Sequence, residues 1–227
     1  CWYEWLFGNV PRNFWRRRKN RLRYMHWLGD RLDFKNPQDW YQVSQRDFIQ
    51  NYGTSLLMQI YDGSPVNAVI DYLPKFEWEE WLFNECPKHF WKLKKNRLRY
   101  LKWLGGKLDY ETPCDWYQLN TALIKKNHGG GGFSNYFEHS PIRILKELYP
   151  NYIWKEWLFS NSPLGFWQSK RNRATYMEWL GQRLGYKKPE DWYDLTQRTL
   201  RSNRGHGLLA IFDGSPALAV KEVFPNY

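Results

Sequence analysis

A chain of 227 residues that is 42% hydrophobic can bury a sizeable core, and its mean hydropathy of -0.79 reflects many basic and amide side chains rather than missing apolar ones. No run approaches the roughly 18 apolar residues of a membrane span, and Cys1-Trp2-Tyr3-Glu4-Trp5 has neither the basic region nor the apolar stretch of a secretion signal. The net charge of +11 is spread as +4, +3 and +4 over the three thirds, a field along the whole chain that favours a polyanionic partner, either nucleic acid or an acidic membrane surface.

The elements come in three sets. Shifted by 76 residues, Trp2-Tyr3-Glu4-Trp5-Leu6-Phe7 superposes on Trp78-Glu79-Glu80-Trp81-Leu82-Phe83, and a second shift reaches Trp154-Lys155-Glu156-Trp157-Leu158-Phe159. These openings follow Pro74 and Pro150 closely and are expected to pack on the preceding copy's last helix. Leu22, Met25, Leu28 and Leu32 then predict a long amphipathic helix beginning near Pro11. Asn36-Pro37-Gln38-Asp39 interrupts it, and a short helical turn follows through Trp40-Tyr41. Ser44 and Asp47 form a capping box that opens a helix to about Asn51, and Gly53 is expected to stop it. Leu56 to Tyr61 is one more short helix, and Asp62-Gly63-Ser64-Pro65 turns into a last helix ending at Pro74. The fold class is therefore all-α, a tandem array of three modules with about five helices each, spanning 1-76, 77-152 and 153-227. Each module is small, so neighbours should touch and stabilise one another. The chain stops where the next Trp-x-x-Trp would begin, which suggests a piece of a longer protein.

Recurrence between copies separates shared requirements from accidents. Cys1, Cys86 and Cys114 occupy unrelated places, which argues against a disulfide framework or a repeated metal site and for a reducing, intracellular compartment. No histidine recurs: His26 matches Lys102 and Glu178, His89 matches Asn13 and Gly165, and His128, His139 and His206 are equally unsupported. The recurring acids Asp39/Asp115/Asp191, Glu4/Glu80/Glu156 and Asp71/Glu147/Glu222 suit caps or ion pairs better than acid-base catalysis, which needs a second group converging in a cleft. The glycine run after His128 lacks the Gly-Lys-Ser/Thr ending of a phosphate loop and reads as an enlarged turn, with only Gly53/Gly129/Gly205 shared. The expectation is no enzyme within these residues, no cofactor, no metal and no small-molecule substrate.

One polar set does recur: Arg18-Lys19-Asn20-Arg21, Lys94-Lys95-Asn96-Arg97 and Lys170-Arg171-Asn172-Arg173. With Arg16, Arg23, Lys92 and Arg99 these are the candidate nucleic-acid-binding residues. Helical geometry places Arg16, Lys19, Asn20 and Arg23 together on the face opposite Leu22, Met25 and Leu28. Asparagine is a poor helix former, so its return asks for a specific hydrogen bond, either with a base edge or within the fold, where Arg21 would pair with Asp39. Arg16/Lys92/Gln168, Arg17/Leu93/Ser169 and Asn13/His89/Gly165 vary and would carry any base readout. Trp15, Trp27 and Trp40 recur beside aliphatic positions and suit a core better than base stacking.

The stretch from Leu56 through Gly63-Ser64-Pro65 to Leu73 resembles a helix-turn-helix and is similar to the short helical repeats associated with homing endonucleases. Its outward positions carry an acid in each copy, so the basic helix ranks above it. The whole module, Phe-Trp…Asn-Arg…Tyr-x-x-Trp-Leu-Gly…Asp-Trp-Tyr…Gly-Ser-Pro, resembles arrays in uncharacterised proteins of plants, algae, protists and large viruses. That likeness implies an architecture and no mechanism. Departures stand at Glu138-His139-Ser140 and at Thr175, which replaces Arg23/Arg99. The function expected is modular nucleic-acid binding, duplex DNA before RNA, by a monomer in the nucleus. The rival is a helical protein-interaction scaffold. An anionic-membrane binder is disfavoured because apolar anchors are not evident beside the basic residues.

Overall fold

The computed structural model describes residues 2–7 and 9–225, and among them it is all-α, with no strand. One element order repeats. In the first copy, 3-10 turns at Glu4–Leu6 and Phe14–Arg16 precede α1 (Arg18–Arg31), and a 3-10 turn at Pro37–Gln42 precedes α2 (Gln45–Gln50), α3 (Thr54–Tyr61) and α4 (Pro65–Tyr72). The second copy has α5 (Lys94–Lys107), α6 (Thr121–Lys126), α7 (Gly130–Tyr136) and α8 (Pro141–Leu148), and the third α9 (Lys170–Leu184), α10 (Gln197–Ser202), α11 (His206–Ile211) and α12 (Pro216–Val223). Two compact units result, Cys1–Leu108 with Ala122–Glu138, and Asp109–Thr121 with His139–Tyr227, so the second copy is shared between them.

The long helix begins at Arg18, not near Pro11. Phe14 and Trp15 are both buried, and neighbouring side chains on one α-helix diverge by about 100°. A 3-10 turn, with Asn13 left-handed before it and Arg17 extended after it, turns both rings inward. This also accounts for the variation at Asn13/His89/Gly165: all three are left-handed, at φ 63°, 64° and 75°, and asparagine, histidine and glycine tolerate that region best. The caps at Ser44 and Ser64 form as their sequence motifs indicate, each accepting the amide three residues on.

The core is aromatic and built around one tyrosine per copy. Tyr24 receives Trp5 and Trp15 edge to face at 5.4 and 5.6 Å, Tyr100 receives Trp81 and Trp91 at 5.5 and 5.1 Å, and Tyr176 receives Trp157 and Trp167 at 5.6 and 5.0 Å. Burial pushes all three phenols well above their ordinary pKa, so they stay neutral. Helix α1 packs on α4, and α3 packs on α2, on α4 and on the Phe14–Arg16 turn.

Gly53 is a contact glycine rather than a left-handed stop. Its φ is -92°, whereas Tyr52 before it is left-handed at 61°. A Cβ at Gly53 would lie 2.1 Å from the Tyr24 hydroxyl, and one at Gly205 would lie 2.3 Å from that of Tyr176. The counterpart facing Tyr100 is Gly130, not Gly129, so the glycine run slips the second copy by one residue. His139 compensates by taking the left-handed place held by Gly63 and Gly214. Gly205→Ala is expected to lose about 1–3 kcal/mol by overpacking, read from urea denaturation, and Tyr176→Phe in the same chain should recover part of it. Full stability of Gly205→Ala would refute the contact.

Candidate nucleic-acid interface

The recurring polar residues divide into an inner and an outer set. Asn20, Asn96 and Asn172 each donate the side-chain amide to the carbonyl six residues earlier, on Phe14, Phe90 and Phe166, at 2.8, 2.9 and 2.9 Å. The following arginine clamps the next two carbonyls. Arg21 Nη1 donates to Trp15 O (3.1 Å) and Arg16 O (3.0 Å), Arg97 Nη1 to Trp91 O (2.6 Å) and Lys92 O (2.9 Å), and Arg173 Nη1 to Trp167 O (2.7 Å) and Gln168 O (2.9 Å). The Asn-Arg pair thus closes the end of the 3-10 turn by adding side-chain donors at its last three carbonyls. Asn96, Arg97 and Arg173 are buried.

Arg21 and Arg173 also reach the last helix of their copy. Arg21 Nε pairs with Asp71 at 3.0 Å, Arg18 joins it at 3.4 Å, and Arg173 Nε pairs with Glu222 at 2.7 Å. Burial works against the Asp71 charge, yet the Tyr61 hydroxyl and the two guanidiniums outweigh it and hold the carboxyl below its usual range. Asp39 is therefore not the partner of Arg21. It accepts from the Lys35 and Asn36 amides at 2.7 Å each, and Asp115 and Asp191 cap their own turns likewise. Asp71, read from sequence as an outward position of a helix-turn-helix, faces α1 instead.

Arg23 and Arg99 are also engaged, with Glu4 at 3.2 Å and Glu80 at 3.0 Å, and each lies over a tryptophan ring, Trp5 or Trp81. In the third copy Thr175 takes this place and donates to Arg171 O, while Glu156 pairs with Lys146. The lost arginine is replaced by a lysine from α8, a substitution invisible to a 76-residue register.

What remains is the outer set. Arg16 and Lys19, Lys92, Lys94 and Lys95, and Lys170 and Arg171 are exposed, and among the described residues their side chains make no hydrogen bond or ion pair. Of the candidate residues, then, seven cations face solvent, Arg18 is half engaged, and Asn20, Arg21, Arg23, Asn96, Arg97, Arg99, Asn172 and Arg173 are committed within the fold. The face expected to present Arg16, Lys19, Asn20 and Arg23 together presents the first two. Recurrence passed over Arg12 and Lys88, which flank this surface and are exposed, because the third copy has Leu164 there. The basic surface is densest in the first copy and sparsest in the third, where Gln168 and Ser169 replace Arg16 and Arg17.

Among the described residues no group of three or more His, Cys, Asp or Glu side chains could hold a metal ion, and no helix is long and apolar enough to cross a membrane. Comparison with protein-family models finds none that matches, and comparisons with curated proteins and with solved structures find no match either.

Proposed function

We propose that this chain binds nucleic acid, duplex DNA in preference to RNA, by phosphate contacts from the exposed cations at the start of α1, α5 and α9. One observation carries the reading: inner arginines take up the nearby carboxylates Asp71, Glu222, Glu4 and Glu80, which leaves the outer lysines and arginines uncompensated at the same place in each copy. An uncompensated cation exposed beside a rigid turn suits a phosphate, whose binding releases condensed counterions. Asn20, Asn96 and Asn172 are assigned no base contact, since each amide is held by a carbonyl. Preference among sequences falls to Arg17, Leu93 and Ser169, which precede the helices and differ between copies.

Titration of fluorescent duplex, single-stranded DNA and RNA over a salt series tests this. Lys19→Gln, Lys95→Gln and Arg171→Gln together should lower the logarithmic salt slope for duplex by about 2–3, at roughly 0.9 per phosphate contact. An unchanged slope would remove these residues from the interface, and absence of binding to all three ligands at low salt would end the proposal in favour of a protein scaffold.

A further inference from the structure

Trp27, Trp103 and Trp179 are half-buried at the same place on α1, α5 and α9, and each copy treats that ring differently. In the first copy Tyr3 lies against Trp27, with ring centroids 6.1 Å apart. In the third, the Lys155 ammonium lies over Trp179 at 5.9 Å from its centroid and the Arg183 guanidinium at 5.6 Å. The second copy has Glu79 where the others have Tyr3 and Lys155, and Lys107 where the third has Arg183. A carboxylate cannot take the lysine's place, because the face of an indole is the negative side of its quadrupole. Among the described residues no cation lies over Trp103, and Arg99 lies over Trp81 instead.

The Trp103 ring borders open space. A groove of about 920 Å³, formed within the first unit, is bounded by Trp103, Glu79 and Lys107, the positions that carry the ring and both cations in the third copy, with Tyr41, Glu77 and Lys102 on the same walls. That volume suits a small ligand. Arg99 also borders the groove but is engaged by Glu80. The four remaining charged side chains, Glu77, Glu79, Lys102 and Lys107, make no hydrogen bond or ion pair among the described residues. The groove therefore presents both signs of charge beside an aromatic ring.

We propose that this groove binds a small zwitterion carrying an alkylammonium group, set on Trp103 beside Glu79 and Glu77, and an acidic group a few bonds away, met by Lys102 and Lys107. Lys155 displays the first half of that recognition inside the molecule: an alkylammonium is what this position holds when the chain supplies one. Exchanging the lysine for glutamate removes the internal cation and sets a carboxylate beside the place it would fill, so the charge favours a cation from outside. A fully alkylated ammonium suits the ring best, since it gives up the least hydration on leaving water. The two lysines account for the second half, because they repel a bare cation and attract one that brings its own anion. This departs from the absence of a small-molecule substrate expected from sequence, and it is independent of the nucleic-acid reading.

Ligand-observed NMR titration of the full chain with phosphocholine and with choline tests this. Phosphocholine should bind saturably at millimolar concentration, and choline more weakly. Glu79→Lys, which installs the third copy's lysine, should abolish binding of both with unchanged circular dichroism. Trp103→Phe, which keeps the core filled but offers a poorer face to a cation, should weaken both about fivefold. Lys102→Gln with Lys107→Gln should remove the advantage of phosphocholine over choline and leave choline bound. Sedimentation with phosphatidylcholine vesicles separates the sources: a chain carried down with them takes the group from a lipid head, and one left in solution takes the free molecule. No saturation by phosphocholine, binding that survives Glu79→Lys, or a preference over choline that persists without the two lysines would overturn the proposal.

Discussion

Arg173→Met is expected to destabilise the third copy by about 3–5 kcal/mol, the cost of breaking a buried charge pair by removing one partner. The side chain does three things at once: it pairs with Glu222 on α12, and it satisfies the carbonyls of Trp167 and Gln168 at the end of a 3-10 turn. Removing it leaves an unpaired, partly buried carboxylate and two unsatisfied acceptors. Lysine should not rescue it, because one ammonium cannot reproduce the planar fork that spans these groups. Arg21→Met should cost less, about 1–3 kcal/mol, since Arg18 also reaches Asp71 and keeps part of the pairing. Lys170→Gln, on the exposed face, should stay within about 0.5 kcal/mol of wild type. Urea denaturation of these variants followed by tryptophan fluorescence separates the two sets. Equal stability of Arg173→Met and Lys170→Gln would show that the buried arginine has no structural role.

Tyr176→Ala should cost about as much, 3–5 kcal/mol, because it removes the ring on which Trp157 and Trp167 converge and leaves a cavity lined by rigid indoles. The hydroxyl gives a finer test. Tyr24 and Tyr176 donate to the carbonyls of Asn51 and Asn203 at 3.0 and 3.1 Å, whereas the Tyr100 hydroxyl is buried with no hydrogen-bond partner among the described residues. Phenylalanine should therefore cost about 1 kcal/mol at Tyr24 and Tyr176 and nothing, or a small gain, at Tyr100. The difference traces to the glycine run, which moves Gly130 rather than Gly129 under the Tyr100 ring and shifts the carbonyl that the other copies offer. A uniform loss at all three tyrosines would contradict that register.

Much of this molecule is written in its residues. The 76-residue shift, the helix periodicity of Leu22, Met25 and Leu28, the Ser44/Asp47 box and the Ser64-Pro65 start are local signals, and the all-α fold follows from them. So does the core role of the tryptophans, whose recurrence beside aliphatic positions is what a shared interior requires. The basic charge of every copy is likewise a matter of counting.

Tertiary structure decided which basic residues that charge leaves free. Recurrence marks a shared requirement but not its kind, because a guanidinium or an amide serves a peptide carbonyl as well as a phosphate. Asn20 shares an outward face with Arg16 only if one helix runs back to Pro11. Once Phe14 and Trp15 turn inward together, the chain offers its carbonyls to residues five and six positions on, a spacing no helix face anticipates. The partner of Arg21 lies fifty residues away on α4, reachable only through packing. The sequence by itself determined three like modules, helical and basic; only the folded chain, by using its inner arginines against its own carbonyls and acids, determined that the outer lysines and arginines are the ones left exposed and unpaired among the described residues.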